Sequence, residues 1–300
     1  LCSSPLENKW KVAVKKVEGG LFSGFANDTL KAGDTLDVME PVGRFYSELH
    51  HTHKKNYLAF AAGSGITPIL SIIKTTLKTE PESQFTLVYG NKNHNSVIFL
   101  EELEALKNSY INRFTLIHLF SRERTDTPLH SGRIDTDKLG ELSRIVDYAQ
   151  TDEFFLCGPE EMIFGIRDYL VTSGINEKKI HFELFNTGST VKTRRPEKHT
   201  GSGPGTQSII TIKTDGRQFD ISLPFNSETS VLDAALQHGA SLPYACKGGM
   251  CCTCKARLLE GEVTMDVHWG LEEEEIEKGY ILTCQSHPRT EKLVIDFDIK

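Results

Sequence analysis

The sequence predicts a multidomain chain: the end of a small antiparallel β-barrel domain, an α/β domain on a parallel sheet, and a small β-grasp domain at the C-terminus. Three observations predict it. From residue 56 onward, short apolar runs alternate with helical periodicity, the rhythm of βαβ units whose sheet is covered on both faces. Residues 186–207 then lose almost every large apolar side chain. Beyond them, two alternating strands and a short amphipathic helix lead into a group of cysteines between Cys246 and Cys254.

A length of 300 residues suits two or three domains, because single cores rarely grow past about 250–300 residues. With 38% hydrophobic and 25% charged residues, the composition is that of a globular protein rather than a membrane or disordered one. No apolar run approaches the roughly 20 residues of a membrane helix. Leu1–Pro5 has neither the basic start nor the apolar stretch of a signal peptide. The cysteines are odd in number, 7, and most of them cluster. That is no disulfide framework for a chain of this size, and it implies a reducing, cytoplasmic compartment.

Charge is uneven. Residues 207–300 hold 15 acidic and 9 basic side chains, whereas residues 1–206 hold 26 and 25. The excess negative charge on the C-terminal third argues against nucleic acid, whose phosphates would repel it. It serves either to steer that domain toward a basic protein surface or simply to keep it soluble.

In order along the chain, residues 10–18 (WKVAVKKVE) and 34–42 (DTLDVMEPV) alternate partially and read as strands closing the first β-domain, residues 1–50. Residues 51–185 form the α/β domain. Strands are expected at Tyr57–Ala62, Phe85–Tyr89, Phe114–Phe120, Phe154–Cys157 and Ile180–Phe185, and helices near 68–78, 96–108, 136–147 and 160–172. Residues 186–207 are rich in Gly, Ser, Thr, Lys and Arg and read as a flexible linker. In the last domain, residues 208–300, SIITIKTD and RQFDISLP pair as a hairpin, and Ser230–His238 forms a helix with Ser227 or Thr229 as its cap.

Cys246, Cys251 and Cys254 stand in the spacing C-x4-C-x2-C, with Cys284 far downstream. This is the plant-type 2Fe–2S pattern. Three thiolates from one tight loop wrap a compact cluster and a fourth arrives from a separate segment. Gly248 and Gly249 let the loop bend inward and aim N–H groups at the sulfurs. Structural zinc is the rival, but it usually pairs two Cys or His knuckles, and Cys284 stands alone. Cys252 is surplus to the ligand count and reads as a small space-filling neighbour.

Gly63, Ser64, Gly65, Ile66, Thr67 and Pro68 follow an expected strand and open a helix. Small residues there allow close approach to a pyrophosphate, and the new helix offers free N–H groups. Pro68 fits the first helical turn, with Thr67 as the cap before it. Cys157, Gly158, Pro159 and Met162 form a second strand-to-helix turn, and in a parallel sheet both turns emerge at the ligand-binding carboxyl edge. Taken alone, Cys157 reads equally as a buried strand-end thiol.

The motifs GSGITP (63–68) and CGPEEM (157–162) resemble the two nucleotide signatures of the ferredoxin–NADP reductase superfamily. PVGRF (41–45), YGNK (89–92) and ELF (183–185) are similar to further segments of that family. The order reductase-then-ferredoxin most resembles the reductase subunits of phenylacetyl-CoA epoxidase complexes. The resemblance covers essentially the whole chain. It implies that residues 1–50 are the C-terminal part of an FAD-binding barrel and that residues 51–185 bind NAD(P). It implies an NADPH-dependent oxidoreductase in which electrons pass from NADP(H) to FAD, then to the 2Fe–2S cluster, then to a diiron oxygenase or epoxidase partner. It further implies that Cys157 lies near the nicotinamide and that Phe185 covers a flavin face. Lys15, Gly19, Gly20, Leu21, Phe22 and Ser23 resemble the flavin-phosphate segment. Ser121 and Arg122 resemble the segment that binds the 2′-phosphate of NADP, and Arg122 can pair with that phosphate or be a solvated loop arginine. The family's Arg-x-Tyr-Ser flavin motif is expected to lie just before Leu1, so this chain is expected to hold FAD weakly or not at all. A non-enzymatic electron carrier, or a reductase for another oxygenase or a hybrid-cluster protein, is the alternative reading.

Overall fold

The computed structural model describes residues 1–38, 41, 43–184, 207–224 and 227–299. It divides into two compact units: Leu1–Glu40 with Phe45–Phe185, and Pro41–Arg44 with Asn186–Lys300.

In chain order, the first unit forms α1 (Leu21–Asp28), β1 (Asn56–Ala62), α2 (Ile66–Thr79), β2 (Gln84–Asn91), α3 (Leu100–Ser109), β3 (Phe114–Phe120), α4 (Thr136–Leu142), β4 (Glu153–Gly158), α5 (Glu160–Thr172) and β5 (Ile180–Leu184). The strands make one parallel sheet in the order β3-β2-β1-β4-β5. Because side chains alternate across a strand, β1 feeds two cores. Tyr57, Ala59 and Ala61 pack with α2 and α3, while Leu58 and Phe60 pack on the opposite face with α4 and α5. Burial on both faces explains why these strands read as nearly continuous apolar runs rather than as alternating ones. Each buried Phe or Leu contributes about 1.5–3 kcal/mol.

Local chemistry moves several helix ends from their expected positions. The helix expected from 96 starts at Leu100, because Asn93 and Ser96 close a separate capped turn and Phe99 turns left-handed at φ 61°. The helix expected to reach 147 stops at Leu142, and Asp147 instead accepts hydrogen bonds from the Ala149 and Gln150 amides.

Among the described residues, positions 1–55 contain no strand, so the strands expected at 10–18 and 34–42 do not form there. Met39, Glu40, Val42 and Phe185 lie outside the described residues. A strand's main-chain groups need a ladder of partners, and the bonds to 10–18 build none: the Lys11 carbonyl accepts from the Cys2 amide at 2.9 Å and the Lys11 amide donates to Ser3 Oγ at 3.1 Å. Trp10 and Val12 are each 69% exposed. The extreme N-terminus is instead tied to α2. Ser71 Oγ donates to the Ser3 carbonyl at 2.8 Å, Ser4 Oγ and Thr75 Oγ1 lie 2.8 Å apart, and Lys74 pairs with Glu7 at 3.0 Å.

The second unit contains β6 (Gln207–Thr214), β7 (Arg217–Pro224), α6 (Val231–Gln237), β8 (Lys255–Glu260), β9 (Val263–Met265), α7 (Glu273–Glu277), β10 (Tyr280–Leu282), β11 (Ser286–Pro288) and β12 (Lys292–Asp296). The mixed sheet runs β10-β8-β12-β6-β7, and β9 pairs with β11. Asp215 and Gly216, both at positive φ, close the β6–β7 hairpin, as a tight two-residue turn requires. The cap of α6 is Ser230, whose hydroxyl accepts from the Asp233 amide, rather than Ser227 or Thr229. Apart from Gln207, the segment expected as a linker lies outside the described residues.

Candidate functional site

β1 and β4 are neighbours, but the chain leaves β1 toward β2 on one side and reaches β4 on the other. That reversal is the switch point at which open parallel sheets bind ligands. The two glycine turns meet there. A side chain at Gly65 would begin 2.1 Å from the Cys157 carbonyl oxygen, so no other residue fits without moving main chain. Tyr89 on β2 donates its hydroxyl to the Gly63 carbonyl at 2.9 Å and steadies the turn.

The helix begins at Ile66, two residues earlier than expected. Gly65 is its N-cap, and Thr67 lies inside the first turn, donating to the Ser64 carbonyl at 3.1 Å instead of capping. No side chain caps α2 and its first turn holds no acidic residue, whereas α5 opens with Glu160 and Glu161. Both helix dipoles point positive ends at this edge, but only that of α2 is left for an anion. Pro159 is the N-cap of α5, and Met162 packs so closely on Gly158 that a Cβ there would lie 2.7 Å from its Cε.

Cys157 is wholly buried in the apolar cluster on the α2 face, and burial pushes its thiol well above the ordinary range. Ser121 and Arg122 leave β3 on the same sheet edge. Their amides donate to the carbonyls of Asn91 at 3.0 Å and Lys92 at 2.8 Å, and the Arg122 side chain is exposed. The segment from Lys15 to Ser23 forms its own turn. Gly19 is left-handed at φ +72°, Leu21 and Phe22 are exposed in α1, and Ser23 Oγ accepts from the Val17 amide at 3.1 Å. No side chain caps α1 and its first turn has no acidic residue.

In the second unit the four spaced cysteines converge in two pairs. Cys246 and Cys251 exchange amide-to-sulfur hydrogen bonds at 3.4 Å each, and the Gly248 amide donates to Cys246 Sγ at 3.3 Å. The hydrogen bond from Cys246 draws the Cys251 thiol down to about 5, while Cys246 is raised. Cys254 is lowered by a hydrogen bond from Cys284, which is raised in turn. Thr283 adds a bond from its hydroxyl to the Cys254 carbonyl at 3.0 Å. No disulfide links any of these cysteines. Among the described residues, no group of three or more His, Cys, Asp or Glu side chains is arranged to hold one metal ion. A four-cysteine zinc site gathers all its ligands around one ion, whereas a 2Fe–2S cluster shares four thiolates between two irons. The two-and-two arrangement fits the cluster.

The acidic run Glu272–Glu275 is not a uniform surface. Glu272 caps α7, whereas Glu275 is largely buried and bonds Arg44 at 2.7 Å and Lys255 at 3.0 Å. Burial alone would raise the Glu275 carboxyl, but bonds from Arg44, the Glu272 amide and Lys255 overcome it and hold it at about 2. Glu273, Glu274 and Glu277 are exposed. Two supporting contacts escape sequence reasoning: that of Tyr89, read only as part of YGNK, with the Gly63 turn, and that of Gly270 with the cysteine loop. Both are tertiary and leave no local pattern.

The comparisons with known proteins agree with this geometry. Residues 60–168 match the model of the oxidoreductase NAD-binding domain, and residues 213–289 that of the 2Fe-2S iron-sulfur cluster binding domain. The chain is 45% identical over 301 residues to a subunit of the 1,2-phenylacetyl-CoA epoxidase of Escherichia coli (strain K12), covering 100% of this chain and 83% of that protein. It is 34% identical over 301 residues to the ferredoxin reductase component of 3-ketosteroid-9-alpha-monooxygenase of Rhodococcus rhodochrous, covering 99% and 81%. The solved structure of full-length CYP116B46 from Tepidiphilus thermophilus shares the fold, with a TM-score of 0.53 at 23% identity, over 94% of this chain and 33% of that one. The chain is an oxidoreductase and belongs to the ferredoxin–NADP reductase-like family that carries a fused 2Fe–2S ferredoxin domain.

Proposed function

We propose that this chain is the reductase component of a diiron epoxidase acting on phenylacetyl-CoA, drawing its electrons from NADPH in the cytoplasm. The observation that carries this reading is the presence, in one polypeptide, of the glycine crevice between β1 and β4 and the two-and-two cysteine loop. The identity of 45% to an epoxidase subunit supports the partner class.

The nucleotide pyrophosphate would lie at the uncapped N-terminus of α2, against Gly63–Gly65. Arg122 would meet the 2′-phosphate, and Cys157 would bound the nicotinamide side of the crevice, with its thiol held neutral by burial. The uncapped start of α1, at Gly20–Ser23, would hold a flavin phosphate. Cys246, Cys251, Cys254 and Cys284 would hold the cluster. When bound, the nicotinamide supplies a hydride, FAD divides its electron pair, and the cluster carries one electron at a time. The chain's own residues position these groups, keep Cys157 protonated and supply amide donors to the loop sulfurs. No helix among the described residues is long and apolar enough to cross a membrane.

The test is reconstitution with the epoxidase subunits, NADPH and phenylacetyl-CoA, compared with a 3-ketosteroid monooxygenase under the same conditions. Epoxide formation in the first system alone is the expected result. Turnover only in the second would reassign the partner. NADPH that fails to reduce cytochrome c through the FAD-supplemented chain would leave a carrier without reductase activity.

A further inference from the structure

Cys252 is surplus to the ligand count, yet it is among the most constrained residues of the cysteine loop. Its backbone is left-handed at φ 56°, a conformation that a non-glycine residue keeps only where its surroundings hold it. Its thiol donates to the Gly270 carbonyl at 2.8 Å, and the Gly270 amide returns a bond to the Gly249 carbonyl at 2.9 Å. Gly270 has no room for a side chain, since a Cβ there would lie 2.2 Å from the Met250 carbonyl oxygen and 2.6 Å from Cys252 Sγ. At the other end of the same segment, Val267 Cγ2 would lie 2.6 Å from a Cβ at Gly249. Val267–Gly270 is therefore pressed against Gly249–Cys252 at both its ends, and Gly270 is bonded to both Gly249 and Cys252.

We propose that Cys252 is a positioning residue whose thiol hydrogen bond to Gly270 holds Val267–Gly270 as a strap against the cluster loop and limits water at the ligand sulfurs. The inference rests on the 2Fe–2S reading of the four ligand cysteines. Reduction adds negative charge to a cluster, and water nearby stabilises that charge, so solvent exposure is one of the levers on its potential. Water is also the route by which iron leaves. A loosened strap raises the reduction potential and speeds iron loss, with the ligand set unchanged.

The experiment uses the cluster-loaded full chain as wild type, Cys252→Ala, Cys252→Ser and Gly270→Ala. Each is measured for midpoint potential and for the rate of iron capture by a ferrous chelator. Cys252→Ala, which removes the donor, is expected to release iron about five- to tenfold faster, the effect of one lost hydrogen bond, and to show a more positive potential. Cys252→Ser keeps a donor and is expected to stay near wild type. Gly270→Ala, which forces the strap outward, is expected to move both readouts in the same direction as Cys252→Ala. Ala and Ser variants that both match wild type, or that shift equally, would overturn the proposal and return Cys252 to a filler. Should Cys252→Ala fail to fold, an unshifted potential in Gly270→Ala would overturn it. Wild-type protein without iron would instead reject the 2Fe–2S reading.

Discussion

At the crevice between β1 and β4 the lining is main chain. Gly65 lies against the Cys157 carbonyl, the turn is steadied through the Gly63 carbonyl, and the start of α2 is left without a cap. In the cysteine loop the surface is side chain, with Cys246 beside Cys251 and Cys254 beside Cys284. The difference decides how each site tolerates change. A main-chain site accepts many side chains on its rim but fails where a Cβ intrudes. A thiolate site tolerates changes between its ligands but not at them.

The largest expected effect is therefore at a proposed cluster ligand. Cys246→Ser should abolish or strongly alter the rhombic EPR signal of the dithionite-reduced protein. Next is Arg122→Ala, which would remove the proposed charge-assisted contact to the 2′-phosphate, worth about 1.5–3 kcal/mol. With FAD supplied, it should raise KM for NADPH about ten- to a hundredfold while barely changing that for NADH. Equal effects on the two coenzymes would make Arg122 a loop residue. Gly65→Ala tests the main-chain side. Overpacking against a carbonyl costs roughly 1–3 kcal/mol, and nucleotide affinity should fall for NADPH and NADH alike while the EPR signal is unchanged.

What is legible in the sequence follows the same division. β3 is legible end to end because Phe114–Phe120 is an apolar run between clear turns. The gathering of Cys246, Cys251, Cys254 and Cys284 is legible because three of them stand in a local spacing pattern. The start of α2 reads two residues late because Pro68 and Thr67 imitate a helix start inside a helix already begun at Ile66. Residues 10–18 and 34–38 mislead because alternation signals a strand only when a neighbour completes its ladder. The packing of Gly270 on Cys252 spans 18 residues and leaves no sign at all.

The smallest expected effect lies at the opposite edge of the parallel sheet. Glu80 is fully buried, and burial alone would raise its pKa. Bonds from Ser83, the His50 amide, Tyr57 and His53 outweigh burial and hold the carboxyl below its usual value. A carboxyl whose folded pKa is depressed stabilises the fold above its unfolded pKa, and that contribution is lost as pH falls through the folded value. Urea midpoints of the first unit should therefore drop below about pH 4.3, the ordinary Glu value. Glu80→Gln should be less stable at neutral pH and should show a flatter acid limb. A variant with the same acid limb as wild type would remove Glu80 from that role.

Metal and sulfide analysis of the anaerobically purified chain, with EPR after dithionite reduction, tests the side-chain site most directly. Two cysteine pairs should hold about two irons and two acid-labile sulfides per chain, with a rhombic signal on reduction. Stoichiometric zinc with neither iron nor signal would contradict it.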